Sequence, residues 1–528
     1  MRSVILFSLL SGVFTTSLVT GSSRNIPFSD RAVTSIRKLI ACDLIDDAVL
    51  GQSPWTQVEV ERLIQEAEKN ISERPVISCG PAIAEVLSEL KNCFGETKTI
   101  FHPLLGAHLT WLSHDSLGRS AKVSPPGNVD AILNPLLDNR SGRQFGKYNV
   151  ALETLHAWDP HPLFSVFLQP RLLFREPFSQ GESLAPSWQK VYTKGEWGNL
   201  EWEIGRDELI SGYGRNGGTL FSENPRPLDQ VRLRSVSPFL FPSFLKALGP
   251  SQTTLFITDL GQDREYPNAF LYGMLLNIRP HPRFELGFGH AITLGGKGAP
   301  AWEWIDIPLE FFFLRRGGLV GEQAGVGASP ADHRSVFSFH YRPSVALRPE
   351  IYGEMFWDDT GFSQIVNHLK YRTGWQIGIF VPWLSSDGSD ELRFEYLSLP
   401  SYAYHHTYYS SGYVLNHRLI GASPGPASRE FSVAYHRRFL QRHEIEALLG
   451  YQYYDGNSYQ FDGSSYERTL LQSGLSEERY RLGVTYSWRF QESWVLGVEA
   501  NLEKIIHFNF QPESRTQSLF SLTVSYRP

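Results

Sequence analysis

The sequence predicts an all-β transmembrane barrel of about 18 antiparallel strands, with a small three-helix bundle at its N-terminal, periplasmic side. Three patterns carry that prediction: alternation of period two at the end of the chain, connections that are alternately short and long, and many aromatics in a chain that is not hydrophobic overall. From Tyr480 to Phe490, the residues Tyr480, Leu482, Val484, Tyr486, Trp488 and Phe490 alternate with Arg481, Gly483, Thr485, Ser487 and Arg489. Such spacing puts large apolar groups on one face of a strand. After Gln491-Glu492-Ser493 the pattern restarts with Trp494, Leu496, Val498, Ala500 and Leu502, and it returns with Phe520, Leu522, Val524 and Tyr526. A soluble sandwich also alternates, but mostly with Val, Ile and Leu. Strands that begin or end in Trp, Tyr and Phe suit the two interfaces of a membrane.

Composition agrees. The 528 residues are 41% apolar and 13% aromatic with only 3 Met, and mean hydropathy is negative. A barrel gives this balance because half of each strand faces a polar lumen. A net charge of −6 argues against nucleic acid as a partner, which needs a concentrated basic surface. Arg2, the apolar run Val4 to Val19 and the small residues Gly21, Ser22 and Ser23 read as a signal peptide over residues 1–23. No other segment offers 18 consecutive apolar residues, so a membrane would be crossed by strands.

Residues 24–97 read as a periplasmic helical bundle, and 98–528 as the barrel. Asp30 caps a first helix with Val33, Ile36, Leu39 and Ile40 on one face. Thr56 and Glu59 form a capping box for a second, ahead of Val60, Leu63 and Ile64. Gly80-Pro81 opens a third with Ile83, Val86, Leu87 and Leu90. In an up-down-up bundle the ends of the first and third helices are neighbours, which predicts a disulfide between Cys42 and Cys93 and a free Cys79. Cys79 and Cys93 flank one helix and are too far apart along it to bridge.

Beyond Ile100 the reading is almost all strand. Candidates include His161 to Phe174, Trp197 to Ile210, Phe270 to Ile278, Phe284 to Ile292, Val345 to Phe356, Trp375 to Leu384, Leu392 to Leu397, Phe431 to Phe439 and Ile445 to Tyr454. With the C-terminus periplasmic, short turns fall at Gln491 to Ser493, Leu440 to His443, Ser385 to Asp390, Arg342 to Pro343 and Arg279 to Pro282. The long loops 508–517, 455–479, 398–429, 357–373 and 293–333 are then extracellular. Ile305 to Arg316 falls inside the last of these, as a short helix or strand pair folded over the mouth.

A carbohydrate surface calls for aromatic faces and for groups that hydrogen-bond hydroxyls and carboxylates. Loop 398–429 supplies Tyr402, Tyr404, His405, His406, Tyr408, Tyr409, Tyr413, His417 and Arg418. Loop 293–333 supplies Trp302, Glu303, Trp304, Arg315 and Arg316. Arg215 and Arg264, in two further outward loops, suit acidic sugars. Packing of the loops and an aromatic girdle are the competing uses of these rings. Trp357-Asp358-Asp359 reads as a solvated strand end or a cation site. Signals for enzymology are poor: His443-Glu444-Ile445-Glu446 lacks the second His of a zinc-protease helix, and Gly295-Gly296-Lys297-Gly298 lacks the spacing of a phosphate loop. The sequence names no catalytic residue, metal-ligand set or cofactor.

Three stretches resemble the capsule assembly Wzi family of bacterial outer-membrane proteins. They are IPFSDRAVTSIRKLIACDLIDDAVLG with WTQVEVERLIQEAEK; GEWGNLEWEIGRDELISGYGRNGG through FLKALGP to PHPRFELGFGHAITLGGKG; and HHTYYSSGYVLNHRLIGASPG. The resemblance implies a monomeric 18-stranded barrel in the outer membrane with a helical bundle against its periplasmic end. It also implies a lectin-like role in holding capsular or other exported polysaccharide, in contact with outer-membrane lipid and without bond chemistry. The chain departs from the usual barrel in ending Tyr526-Arg527-Pro528 rather than on an aromatic residue, and no family binding residue is carried over. A channel for small solutes and an outer-membrane hydrolase are the alternatives.

Overall fold

The computed structural model describes residues 23–526 apart from 74–81, 95–99, 114–118, 124–126, 144, 162–163, 177–182, 313–330, 359–372, 402, 407, 441, 462–467 and 492. The signal-peptide reading, Cys79, Arg315, Arg316, Asp359 and Tyr402 therefore lie outside the described residues. Eighteen strands, from Ile100–Leu112 to Arg515–Tyr526, close into a single antiparallel barrel. Each barrel strand pairs with the next one along the chain, and the last closes on the first through pairs such as Leu519 with Leu112 and Ser525 with Gly106. No described helix is long and apolar enough to cross a membrane.

Alternation sorts the side chains as the sequence predicts. On the strand Glu477–Gln491, Tyr480, Leu482, Val484 and Trp488 are exposed on the outer face. Arg479 points into the barrel and is buried with Glu477, 2.8 Å away. A continuous apolar outer wall with a charged inner wall is the outer-membrane type of barrel. Short turns gather at one end, as between Phe270–His281 and Phe284–Leu294, and connections such as 208–227, 295–331 and 400–427 gather at the other.

The short-turn end is filled by three helices, α1 (Arg31–Ala41), α2 (Gln57–Glu73) and α3 (Ala82–Phe94). Their caps follow from sequence: Ala32 N donates to Asp30 Oδ1 at 2.9 Å, and Glu59 N to Thr56 Oγ1 at 3.0 Å. Apolar faces including Ile36, Leu39, Ile40, Leu63, Leu87 and Leu90 make their shared core. Charged groups fasten α1 to the wall. Arg37 Nε donates to Glu350 Oε2 at 2.9 Å, Lys38 Nζ lies 2.7 Å from Glu391 Oε1, and Trp383 Nε1 donates to Lys38 O at 3.1 Å. Asn25, ahead of α1, reaches the inner wall as well, donating to Glu203 Oε2 and Asp207 Oδ2 at 2.7 Å each and accepting from Lys194 Nζ at 2.9 Å.

Connections from the opposite end complete the closure. The segment 208–227 descends until Ile210–Ser211 pairs with Gln52–Ser53 and Gly212 N donates to Gly51 O at 3.0 Å. Gly212 adopts φ +86°, and a Cβ there would collide with the Glu354 carboxylate, so the descent needs glycine at that position. Above it, Leu220 and Phe221 pack with Tyr404, Tyr413, Leu415 and Ile420 of the 400–427 connection and with wall residues Phe256, Leu275, Val336 and Phe356. The upper lumen thus holds a dry core.

Two expectations are corrected. Residues Asp306–Phe311 do form a short helix, α4, but it lies on the outer wall instead of over the mouth: Tyr272 Oη donates to Ile307 O at 3.2 Å, and Tyr272 is paired with outward-facing Ile257. Cys42 is disulfide-bonded, but Cys93 is exposed and is not in that bridge. The reason is the phase of α3: Ile83, Val86, Leu87, Leu90 and Phe94 face the core, which turns Cys93 outward.

Candidate functional site

The long connections place the sequence-selected residues in three different settings. Tyr404, Tyr409 and Tyr413 are buried. Tyr404 Oη donates to Thr219 O, 2.6 Å away, and accepts from Ala422 N at 2.9 Å, while the Tyr413 ring lies 4.5 Å from the Arg334 guanidinium. Neither Tyr404 nor Tyr413 presents a face to a ligand, because they hold the inward-folded connection together. Asp358, read as a strand end, is likewise buried, 3.2 Å from Arg334 and accepting from Tyr404 N.

Arg215 lies inside the barrel. Its guanidinium pairs with Glu446 and its backbone N donates to Glu395 Oε1 at 2.8 Å. It lines a chamber of about 460 Å³ between α1, the 208–227 connection and the inner wall, together with Arg140, Arg393, Glu223, Glu391 and Glu499. Arg140 is 3.1 Å from Glu499 there, so cations and acids largely pair with each other. Burial, with the nearby charge of Glu208, pushes the Glu223 carboxyl up to about 7.

The third setting is the outer face of the long-connection end. Residues 260–269 and 400–427 are joined across it by Ser410 N donating to Glu265 Oε2 at 2.8 Å and Glu265 N to Ser411 Oγ at 2.8 Å. The 113–147 connection adds Asp130, whose N donates to Ser411 O at 2.9 Å. These ties bring rings into one row. His406 is 5.7 Å from exposed Tyr408 and 5.8 Å from Tyr409, and Tyr409 is 5.5 Å from Tyr266. His405, next in the chain, is half-buried, and burial lowers its pKa. Arg264 sits just beneath the row: it is buried, Nη2 donates to Gly412 O at 3.3 Å, and burial lowers its pKa to about 10. Trp302 and Trp304 belong elsewhere, 5.2 Å apart at the start of the outer-wall segment, with Trp302 against Phe270.

His417 pins this face. Its Nδ1 is 3.0 Å from Asp130 and its Nε2 2.7 Å from Asp263. Partial burial opposes its charge, but the two carboxylates outweigh that and raise its pKa. A raised pKa means that the clamp is fully present below the unfolded histidine value, about 6.5, and is lost as pH rises through the higher folded value. Amide exchange in residues 411–420 is therefore expected to accelerate across that rise beyond the ordinary base-catalysed increase, and His417→Gln is expected to remove the extra acceleration. Sequence reading selected His417 but missed its partner Asp130 and Tyr266. Tyr266 adjoins the Asp263-Arg264-Glu265 stretch and was within reach; nothing local marks Asp130, whose role arises only when two distant connections meet.

Comparison with known proteins adds a second line. A family model described as capsule assembly protein Wzi matches residues 134–518. The chain belongs to the capsule assembly protein Wzi family. Among solved structures, it is similar to Wzi of Escherichia coli, a carbohydrate-binding β-barrel involved in group 1 capsule assembly, at 14% identity and TM-score 0.66, with 96% of this chain and 99% of that chain covered. The Pseudomonas aeruginosa barrels OprD (8% identity, TM-score 0.43, 81% and 94% covered) and OccD3 (9%, 0.42, 80% and 91%) also match. No protein of curated function matches. The resemblance to Wzi read from the sequence is borne out, as is the predicted barrel. At this identity the Wzi likeness speaks for the fold alone.

Proposed function

We propose that this Wzi-family barrel resides in the outer membrane and holds exported polysaccharide at the cell surface, by binding and without bond chemistry. The observation that carries the reading is the division of labour among the long connections. Buried rings seal the lumen, while Tyr408, His406 and Tyr266, with Glu265, Asp263 and His417, form a wet face of rings and hydrogen-bonding groups. Sugars are bound by this combination, ring faces for their C–H surfaces and polar groups for their hydroxyls. The carbohydrate binding named for the E. coli protein supports the same assignment. A solute channel fits less well, because the dry core crosses the lumen.

In this reading residues 1–23 are a signal peptide, 24–97 a periplasmic bundle closing the barrel from below, and 98–528 a monomeric barrel with the aromatic row outside. The test is retention on cells. A deletion strain is expected to shed surface polysaccharide, and the wild-type gene to restore it. With each lost ring contact costing about 1 kcal/mol, Tyr408→Ala with His406→Ala is expected to lower affinity roughly tenfold or more while leaving the amount of folded barrel unchanged. Unchanged retention in the deletion strain would refute the assignment.

A further inference from the structure

We propose that residues 302–312, the segment containing α4, are seated in the lipid of the outer leaflet, with Trp304 and Ile305 as membrane anchors rather than parts of the sugar-binding face. The first ground is the wall beneath. On the strands Phe284–Leu294 and Asp332–Tyr341, Leu286, Phe337, Phe339 and Tyr341 point outward and are exposed. The same face continues toward the long-connection end as His290, Ser335 and His333, since His290 is paired with Ser335 and Ile292 with His333. Imidazoles and a hydroxyl facing hydrocarbon would be costly unless covered and hydrogen-bonded. They are both. His290 Nδ1 is 2.8 Å from Ser335 Oγ, His333 Nδ1 is 3.5 Å from His290 Nε2, and His333 Nε2 is 3.1 Å from Glu310 Oε2 of α4.

The second ground is the polarity of the cover. The acids of α4 itself, Asp306 and Glu310, are only 6% and 3% exposed, whereas Trp304 is 79%, Ile305 58% and Phe312 43% exposed. Glu303, ahead of the helix, is the exposed acid of the segment, and its backbone N donates to Asp306 Oδ2 at 2.8 Å. A surface helix in water has the opposite arrangement, apolar side in and charged side out. Here Glu310 is turned inward to the histidines, Ile307 and Phe311 pack with Trp302 against Tyr272, Ile292 and Leu294, and the remaining apolar groups continue the exposed belt of the barrel. Aromatic and aliphatic side chains beside that belt match acyl chains and the region just above them.

Site-directed nitroxides on the full-length protein in dioleoylphosphatidylcholine vesicles test this. Ile305→Cys and, separately, Trp304→Cys are labelled in a Cys93→Ser parent that itself takes up no label. Reference labels sit at Leu482→Cys, on the exposed belt, and Tyr408→Cys, on the wet face. Collision with oxygen, which concentrates in lipid, is expected to exceed collision with a water-soluble nickel complex several-fold at 304 and 305, as at 482 and the reverse of 408. Accessibility at both positions matching that at 408 would overturn the proposal. If one variant fails to fold, the other decides.

Discussion

Arg37→Ala is expected to detach α1 from the barrel wall. The guanidinium is buried and donates to Glu350 Oε2 from Nε at 2.9 Å and from Nη2 at 2.5 Å, and it also lies 4.8 Å from the Phe380 ring. Removing it leaves a fully buried carboxylate that keeps its hydrogen bond with His340 Nε2, 3.0 Å away, but has lost its guanidinium partner. Breaking such a pair from one side costs about 3 to 5 kcal/mol. The plug has other attachments, so the barrel itself is expected to persist. The measurable result is rapid proteolysis within residues 31–94 at a protease level that leaves the wild type intact. Glu350→Gln, which keeps an acceptor near Arg37, is expected to be milder.

Phe221→Ala is the second large effect, and it acts at the opposite end. Phe221 is buried and meets Phe256 edge-on at 5.1 Å, with Tyr413 at 6.3 Å. Truncating a buried phenylalanine costs about 3 to 5 kcal/mol through lost burial and the cavity left behind. The loss falls on the contact between the 208–227 and 400–427 connections and the wall. Wild-type protein in a planar bilayer is expected to pass almost no current, because helices and inward-folded connections obstruct the lumen from both ends. Phe221→Ala is expected to show intermittent openings. Steady wild-type conductance would instead support the channel reading.

Much of the barrel was legible because lipid-facing strands have a strict period. The prediction from Tyr480, Trp494 and Phe520 corresponds to the strands Glu477–Gln491, Trp494–Ile506 and Arg515–Tyr526, and the turn and loop assignments that followed placed the 260–269 and 400–427 connections at one end. Strands with heavily charged inner faces were harder to see. Leu228–Ser235 reads LDQVRLRS, and it passes for a polar loop until Arg232 and Arg234 are found buried beside Glu203 and Glu201 at 2.6 and 2.8 Å. Leu184–Trp197 was missed likewise, with Lys194 buried against Glu201 at 2.9 Å. Those partners sit on neighbouring strands, and no single-strand pattern reveals them.

The site was legible only as a list of residue types. His406, Tyr408 and His417 were singled out along with Tyr404 and Tyr413, and local sequence offers no means of separating them. Burial separates them: Tyr404 and Tyr413 are needed where the connection folds inward, and Tyr408 remains outside. Trp304 shows the same limit from another side. An exposed tryptophan in an extracellular connection suits a sugar or a membrane equally well, until the acids of α4 are seen to face the protein.

Sedimentation of the purified, detergent-folded protein with the surface polysaccharide of its own cells tests the central claim most directly. Saturable co-sedimentation that weakens in the Tyr408→Ala/His406→Ala variant is the predicted result. A heat-modifiable, fully folded barrel that stays in the supernatant at every polysaccharide concentration would contradict the account.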